Sequence, residues 1–250
     1  MSAGHHDGTA IVCAFDSNHN HPVQIQTLVG HKELVTAVDM DGEYIVTGSR
    51  DLTMLLWAII SGADGSVRFR VAEVPRGVYY GHDAEMTCVC VSAGLDLVVS
   101  GARDGAVLMH ELASRRLIRC LVPAARPGDA ATGAAAVGVV CISTRGDVFV
   151  YTRAQRLFVF SQGGRCLAHE EAADRVTCAA LTRNGEFVVT GSADCCITVR
   201  VLATLQPLQR LRTASPILCV ALTTDEHNIL CGLENGKIAI VSGDASGKRR

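Results

Sequence analysis

The sequence predicts an all-β fold, a propeller of repeated four-stranded sheets. Three observations carry that expectation: an internal repeat, short β-branched runs within each repeat, and turn residues between the runs. One segment recurs five times, as YIVTGSRDLTMLLW (44–57), LVVSGARDGAVLMH (97–110), VFVYTRAQRLFVF (148–160), FVVTGSADCCITVR (187–200) and ILCGLENGKIAIV (229–241). In phase, Gly48, Gly101, Tyr151, Gly191 and Gly232 share one position, at spacings of 53, 50, 40 and 41 residues. A four-stranded blade needs roughly 40–45 residues.

Each unit repeats one grammar. A first apolar strand (TAVDM, TCVCVS, GVVCIS, TCAALT, LCVALT) is followed by a turn rich in Gly, Asp and Asn. A second strand ends at the small-residue turn and a third begins after it. A weaker outer strand is visible in RLIRCLV (116–122), RCLAHE (165–170) and LQRLRT (208–213). Runs of Val, Ile, Leu and Thr bounded by such turns favour strands over helices. The innermost strands are nearly continuous in apolar residues, as expected where neighbouring sheets cover both faces. These signals divide the chain into three parts. Residues 1–29 hold the last two strands of a preceding blade (TAIVCAF and VQIQTLVG), residues 30–243 hold five recognisable blades, and residues 244–250 form a polar tail. The last unit ends at its third strand, and VQIQTLVG is one candidate for the missing outer one.

Composition narrows the function classes. In this 250-residue chain, 48% hydrophobic and 19% charged residues describe a globular protein. A net charge of -2 supplies no global field for nucleic acid or an anionic membrane. Only 4% of residues are aromatic, too few for a base-stacking platform. The eleven cysteines are odd in number, and many sit in apolar runs, among them Cys88, Cys90, Cys141, Cys178 and Cys219. They read as reduced core thiols rather than a disulfide framework. The N-terminal residues lack the apolar stretch of a signal peptide, and no run approaches the roughly 20 apolar residues of a membrane span. The expected location is the cytoplasm, with no direct membrane insertion.

The segment GHKELVTAVDMDGEYIVTGSRDLTMLLW (30–57) resembles a WD repeat, through Gly30-His31, the Thr47-Gly48-Ser49 turn, Asp51 and Trp57. The resemblance implies a structural hydrogen-bond chain of His31, Thr47, Asp51 and Trp57 that ties the turns to the third strand. Such a buried chain is tolerable only if every member has a partner. The second unit keeps Gly81-His82, Ser100 and Asp104, with His110 where Trp would stand. The fourth keeps Thr190 and Asp194, lacks the Gly-His pair, and has Arg200 in the Trp position. The stretch from about Gly30 to Val241 resembles more narrowly the C-terminal propeller of BEACH-domain proteins, the neurobeachin and beige-like anchor group. YIVTGSRDLTMLLW and YYGHDAEMTCVCVSAGLDLVVSGARDG carry that likeness. It implies a non-catalytic scaffold in vesicle trafficking and membrane-protein sorting, peripheral to endomembranes, in a longer protein with an upstream BEACH domain. The alternative is a free-standing WD-repeat adaptor in signalling or a ubiquitin-ligase complex.

Candidate sites are few. Arg50, Arg103 and Arg153 recur at one turn on three successive units and would suit acidic or phosphorylated peptides of partner proteins; the bland alternative is solvated turn residues paired to local carboxylates. His5, His6, His19 and His21 lack the spacing of metal ligands. Cys195-Cys196 read as turn and strand residues. The stretches 61–78 and 125–136 read as loop insertions, and Lys248-Arg249-Arg250 is too short for a targeting signal. No nucleophile motif, phosphate loop or metal-ligand pair appears, so the sequence predicts no catalytic residue, no metal and no cofactor.

Overall fold

The computed structural model describes residues 2–4, 7–16, 21–60, 70–123 and 135–242, and every regular element among them is a strand. The predicted all-β class therefore holds. The chain divides into two compact units, residues 1–137 and 138–250.

The first unit contains three antiparallel sheets. The opening sheet joins β1 (Ser2–Gly4), β2 (Thr9–Asp16) and β3 (His21–Val29) in that order. It thus has a short third strand beyond the two expected from residues 1–29. VQIQTLVG, in β3, pairs with β2. The second sheet orders β4 (Val35–Asp41), β5 (Tyr44–Ser49) and β6 (Met54–Ile60), and its outer position is split. β7 (Arg70–Val71) pairs with the end of β6, and β8 (Gly77–Tyr79) with its start. Part of the segment read as a loop, 61–78, is therefore strand, because its Arg-Val and Gly-Val-Tyr runs find partners along β6. The third sheet orders β12 (Leu117–Leu121), β11 (Val107–Glu111), β10 (Leu97–Ala102) and β9 (Met86–Ser92).

The second unit repeats the pattern. One sheet runs β13 (Val137–Ile142), β14 (Val148–Thr152), β15 (Arg156–Phe160) and β16 (Cys166–Glu171). The next runs β17 (Val176–Leu181), β18 (Phe187–Ser192), β19 (Cys196–Val201) and β20 (Pro207–Arg212). The last has three strands, β21 (Ile217–Leu222), β22 (Asn228–Leu233) and β23 (Ile238–Ser242). The 125–136 stretch, most of the N-terminal histidines and the tail lie largely or wholly outside the described residues.

Burial rises from the first strand of a sheet to the second. Every residue of β10 and β14 is buried and all but one of β5 and of β18, whereas β4, β9 and β17 are mostly half-buried, as is β22 of the last sheet. The first strand ends its sheet in the order given, so one of its long sides has no strand neighbour. Apolar clusters fill the space within each unit, Val46, Leu56, Met86 and Val98 in the first and Phe149, Leu157, Val188 and Leu202 in the second. Burying such a side chain contributes roughly 1.5–3 kcal/mol.

The shared glycine position has a steric cause at three of its four glycines: a Cβ on Gly48 would meet nothing closer than 3.6 Å, but one on Gly232 would lie 2.5 Å from Cys219 Sγ. A Cβ on Gly101 would lie 2.8 Å from Cys88 Sγ, and one on Gly191 2.7 Å from Cys178 Sγ. The first-strand cysteine occupies the space a side chain would need. The third repeat inverts the pair: Tyr151 takes the glycine position, and Gly138 in β13 makes room for its ring, 3.0 Å from where a Cβ would stand.

Candidate functional site

The turns between second and third strands carry the predicted polar residues, and their rigidity is set by the chains behind them. In the second sheet, Trp57 Nε1–H donates to Thr47 Oγ1 at 3.0 Å. The Thr47 hydroxyl then has its own proton free for His31 Nε2, 2.8 Å away. That assignment leaves the proton on His31 Nδ1, which donates to Asp51 Oδ2 at 3.0 Å. The chain is directional, and all four members are satisfied. Asp51 also accepts the Lys32 N–H at 2.9 Å and the Thr53 N–H at 2.9 Å, so one carboxylate closes both loops. Burial would raise its carboxyl, but the hydrogen bonds from Thr53, Lys32 and His31 outweigh it and hold Asp51 below the ordinary carboxylate range. Gly30 completes the site: a Cβ there would lie 3.1 Å from the Trp57 ring.

The third sheet brings fewer of these residues together. His82 Nε2 meets Ser100 Oγ at 2.7 Å. His110 stands opposite Val98, the register place that Trp57 holds opposite Ile45, but its Nε2–H donates to the Tyr80 carbonyl at 3.0 Å. Asp104 accepts the Ala106 N–H at 3.0 Å. Nδ1 of both His82 and His110 is buried with no partner among the described residues. Burial pushes His82 down to about 4, against the opposing pull of Asp104, and lowers His110 as well.

The fourth repeat keeps fragments of the scheme. Asp194 accepts the Arg175 N–H at 2.8 Å, matching the contact of Asp51 with Lys32. Thr190 turns its hydroxyl to the Thr198 carbonyl at 3.2 Å. Arg200, in the Trp register place opposite Val188, is buried and donates to Glu170 at 3.2 Å and to the Leu205 carbonyl at 3.1 Å. Asp174 pairs with Arg210.

The recurring arginines sit on these turns. Arg50 and Arg103 converge on one carboxylate, Glu85, at 3.6 and 3.0 Å. All three groups are more than a third exposed, so the pairing is weak and water-accessible. Arg153 is exposed at the corresponding turn of its own unit. Glu85 was not among the residues that sequence reasoning selected; Leu34 holds the same place after Gly30-His31, so the repeat carried no signal for it. Also unpredicted were Thr87 and Thr177, the second residues of β9 and β17, which donate to the carbonyls of Gly101 and Gly191, both at 3.1 Å. The repeated Thr-Cys start marks both. None of the eleven cysteines is in a disulfide, and no group of three His, Cys, Asp or Glu among the described residues could hold a metal. Among the described residues no helix is long and apolar enough to cross a membrane.

Comparison with known proteins places this geometry. The family model for the neurobeachin beta propeller domain matches residues 2–250. BEACH domain-containing protein B of Arabidopsis thaliana is 30% identical over 233 residues, covering 87% of the chain. A putative neurobeachin homolog of Caenorhabditis briggsae is 30% identical over 237 residues, covering 88%. The chain spans 9% of the length of each of these relatives. Among solved structures, a chain of the mitotic checkpoint complex superposes with a TM-score of 0.76 at 15% identity, covering 97% of this chain and 70% of that one. That likeness shows the fold, a WD-repeat β-propeller.

Proposed function

The chain belongs to the neurobeachin β-propeller family, and from that premise we propose that it is the protein-interaction end of a BEACH-type scaffold serving vesicle trafficking and membrane-protein sorting. The observation that carries this reading is the family match across residues 2–250. In it the chain acts without catalysis, in the cytoplasm at the surface of endomembranes, with a BEACH domain as its neighbour in the intact protein. Its partners are proteins that present acidic or phosphorylated peptides to the turns bearing Arg50, Arg103 and Arg153. The hydrogen-bonded turns support that role. The Arg50 N–H is tied to the Leu34 carbonyl at 3.0 Å and Asp51 is clamped beside it, so Arg50 leaves a backbone that is already ordered. Pre-ordered donors lose less entropy on binding. A carboxylate or phosphate of higher charge would displace Glu85 from its two exposed arginines.

The test is affinity capture of the chain from cells, comparing the unaltered protein with Arg50→Glu/Arg103→Glu/Arg153→Glu. The reading expects a reproducible set of vesicle-associated proteins that the triple variant loses while its thermal unfolding is unchanged. Equal recovery by both proteins overturns the arginine turns as the contact. Recovery of no vesicle-associated protein by either overturns the trafficking role.

A further inference from the structure

The outer strands end their sheets with open edges, and β12 differs from the rest. It closes the order β12-β11-β10-β9, so its outward backbone groups have no strand partner among the described residues. An unpaired edge is a template for another strand unless something guards it. Four of the five residues of β12 are exposed, Leu117, Ile118, Arg119 and Cys120, and Asp104 is near enough to act on the Cys120 thiol. Leu117 is 45% exposed, Ile118 42% and Val122 52%. From Leu112 to Pro123 the chain has three arginines and no acid. Arg116 and Arg119 are exposed and make no ion pair among the described residues. Beside the strand, Gly81 approaches Leu117, and the neighbouring Tyr80 is 68% exposed.

The other outer strands share this combination only in part. β16 ends in Glu170 and Glu171, and Glu170 is engaged by Arg200. In β20, Leu208 and Arg212 are exposed but Arg210 is held by Asp174, which leaves one arginine outside an ion pair among the described residues against two at β12. Basic residues on an edge commonly serve to repel a second strand, and here they would repel a basic one only. Toward an acidic strand the same charges select.

We propose that the free edge of β12 binds an extended, acidic segment of a partner protein, which adds to the sheet as a fifth strand. Its backbone would take the unpaired N–H and C=O groups, its carboxylates would face Arg116 and Arg119, and its apolar residues would cover Leu117, Ile118 and Val122. The edge favours a peptide over an anionic lipid surface. Its backbone groups are directional and spaced for another strand, and successive side chains point to opposite faces rather than into one plane. This surface is separate from the arginine turns and stands or falls independently of them.

The experiment titrates the purified chain with a fluorescein-labelled decapeptide of alternating glutamate and valine, read by anisotropy. A decapeptide of alternating lysine and valine is the counter-probe, and hydrogen–deuterium exchange locates binding. The expected result is saturable binding of the glutamate peptide alone, with exchange slowed at 117–122 and unchanged at 166–171 and 207–212. Arg116→Glu/Arg119→Glu should weaken binding at least about tenfold with thermal unfolding unchanged. Arg119→Ala, a milder change, should weaken it as well. The proposal fails if the glutamate peptide does not bind, if the lysine peptide binds equally, or if protection appears elsewhere. It also fails if phosphatidylserine vesicles bind and the peptide does not, or if the strand is protected only by self-association.

Discussion

The second and third sheets hold the same motif and finish it differently. Behind Asp51, donors and acceptors run in one direction from Trp57 through Thr47 and His31, and none is left over. Behind Asp104 only the His82–Ser100 link survives, and two buried imidazole nitrogens have no partner among the described residues. The difference begins at one residue. An indole at 57 reaches the hydroxyl beside it, whereas the shorter imidazole at 110 reaches back to the Tyr80 carbonyl. A motif recognised by its letters therefore need not be a completed network, and completeness decides what the motif is worth.

Four measurements would break or sharpen this contrast. The largest effect is expected for Trp57→Ala, which empties a fully buried site and should cost about 3–5 kcal/mol in chemical denaturation. A loss near 1 kcal/mol would mean that the ring is not central to the sheet. Next is pH. His82 is depressed to about 4 from its ordinary 6.5, so the unfolded chain takes up its proton first. Stability is full above pH 6.5 and falls as pH drops toward 4, by about 3 kcal/mol. His82→Phe should flatten that window; an unchanged pH profile would place the titration elsewhere. Third, Thr47→Val strands both the indole and His31 and should cost about 2–4 kcal/mol, whereas Ser100→Ala strands only His82 and should cost about 1. Equal losses would erase the distinction between a complete and a broken chain. The smallest effect is expected for Asp104→Ala, under about 1 kcal/mol by thermal unfolding, against about 2–3 for Asp51→Ala. A large loss at Asp104 would show that it reaches His82 in solution.

Most of the strand plan was legible because hairpin strands pair locally, and their period and turns are written in adjacent residues. The five aligned segments could be read in that way, while the His31–Thr47–Asp51–Trp57 set and the places of His110 and Arg200 came from the resemblance to a WD repeat. The split outer strand β7/β8 could not. Arg70–Val71 and Gly77–Tyr79 are too short to announce themselves, and they become strands only because β6 offers an edge. The contacts of the arginine turns were half legible. The recurrence of Arg50, Arg103 and Arg153 is visible, but Glu85 lies 35 residues from Arg50, and nothing in the intervening residues announces the contact.

By itself, then, the sequence determined the repeat, the all-β class and the hairpin order of the first three strands in each repeat. All of these follow from interactions between positions close along the chain. The tertiary structure decided what links one sheet to the next. Asp39 accepts the Val91 N–H and Asp41 the Ala93 N–H, each at 2.8 Å, the former from a carboxyl raised by burial. Those partners lie about 50 residues apart, and only the stacking of blades brings them within hydrogen-bonding reach.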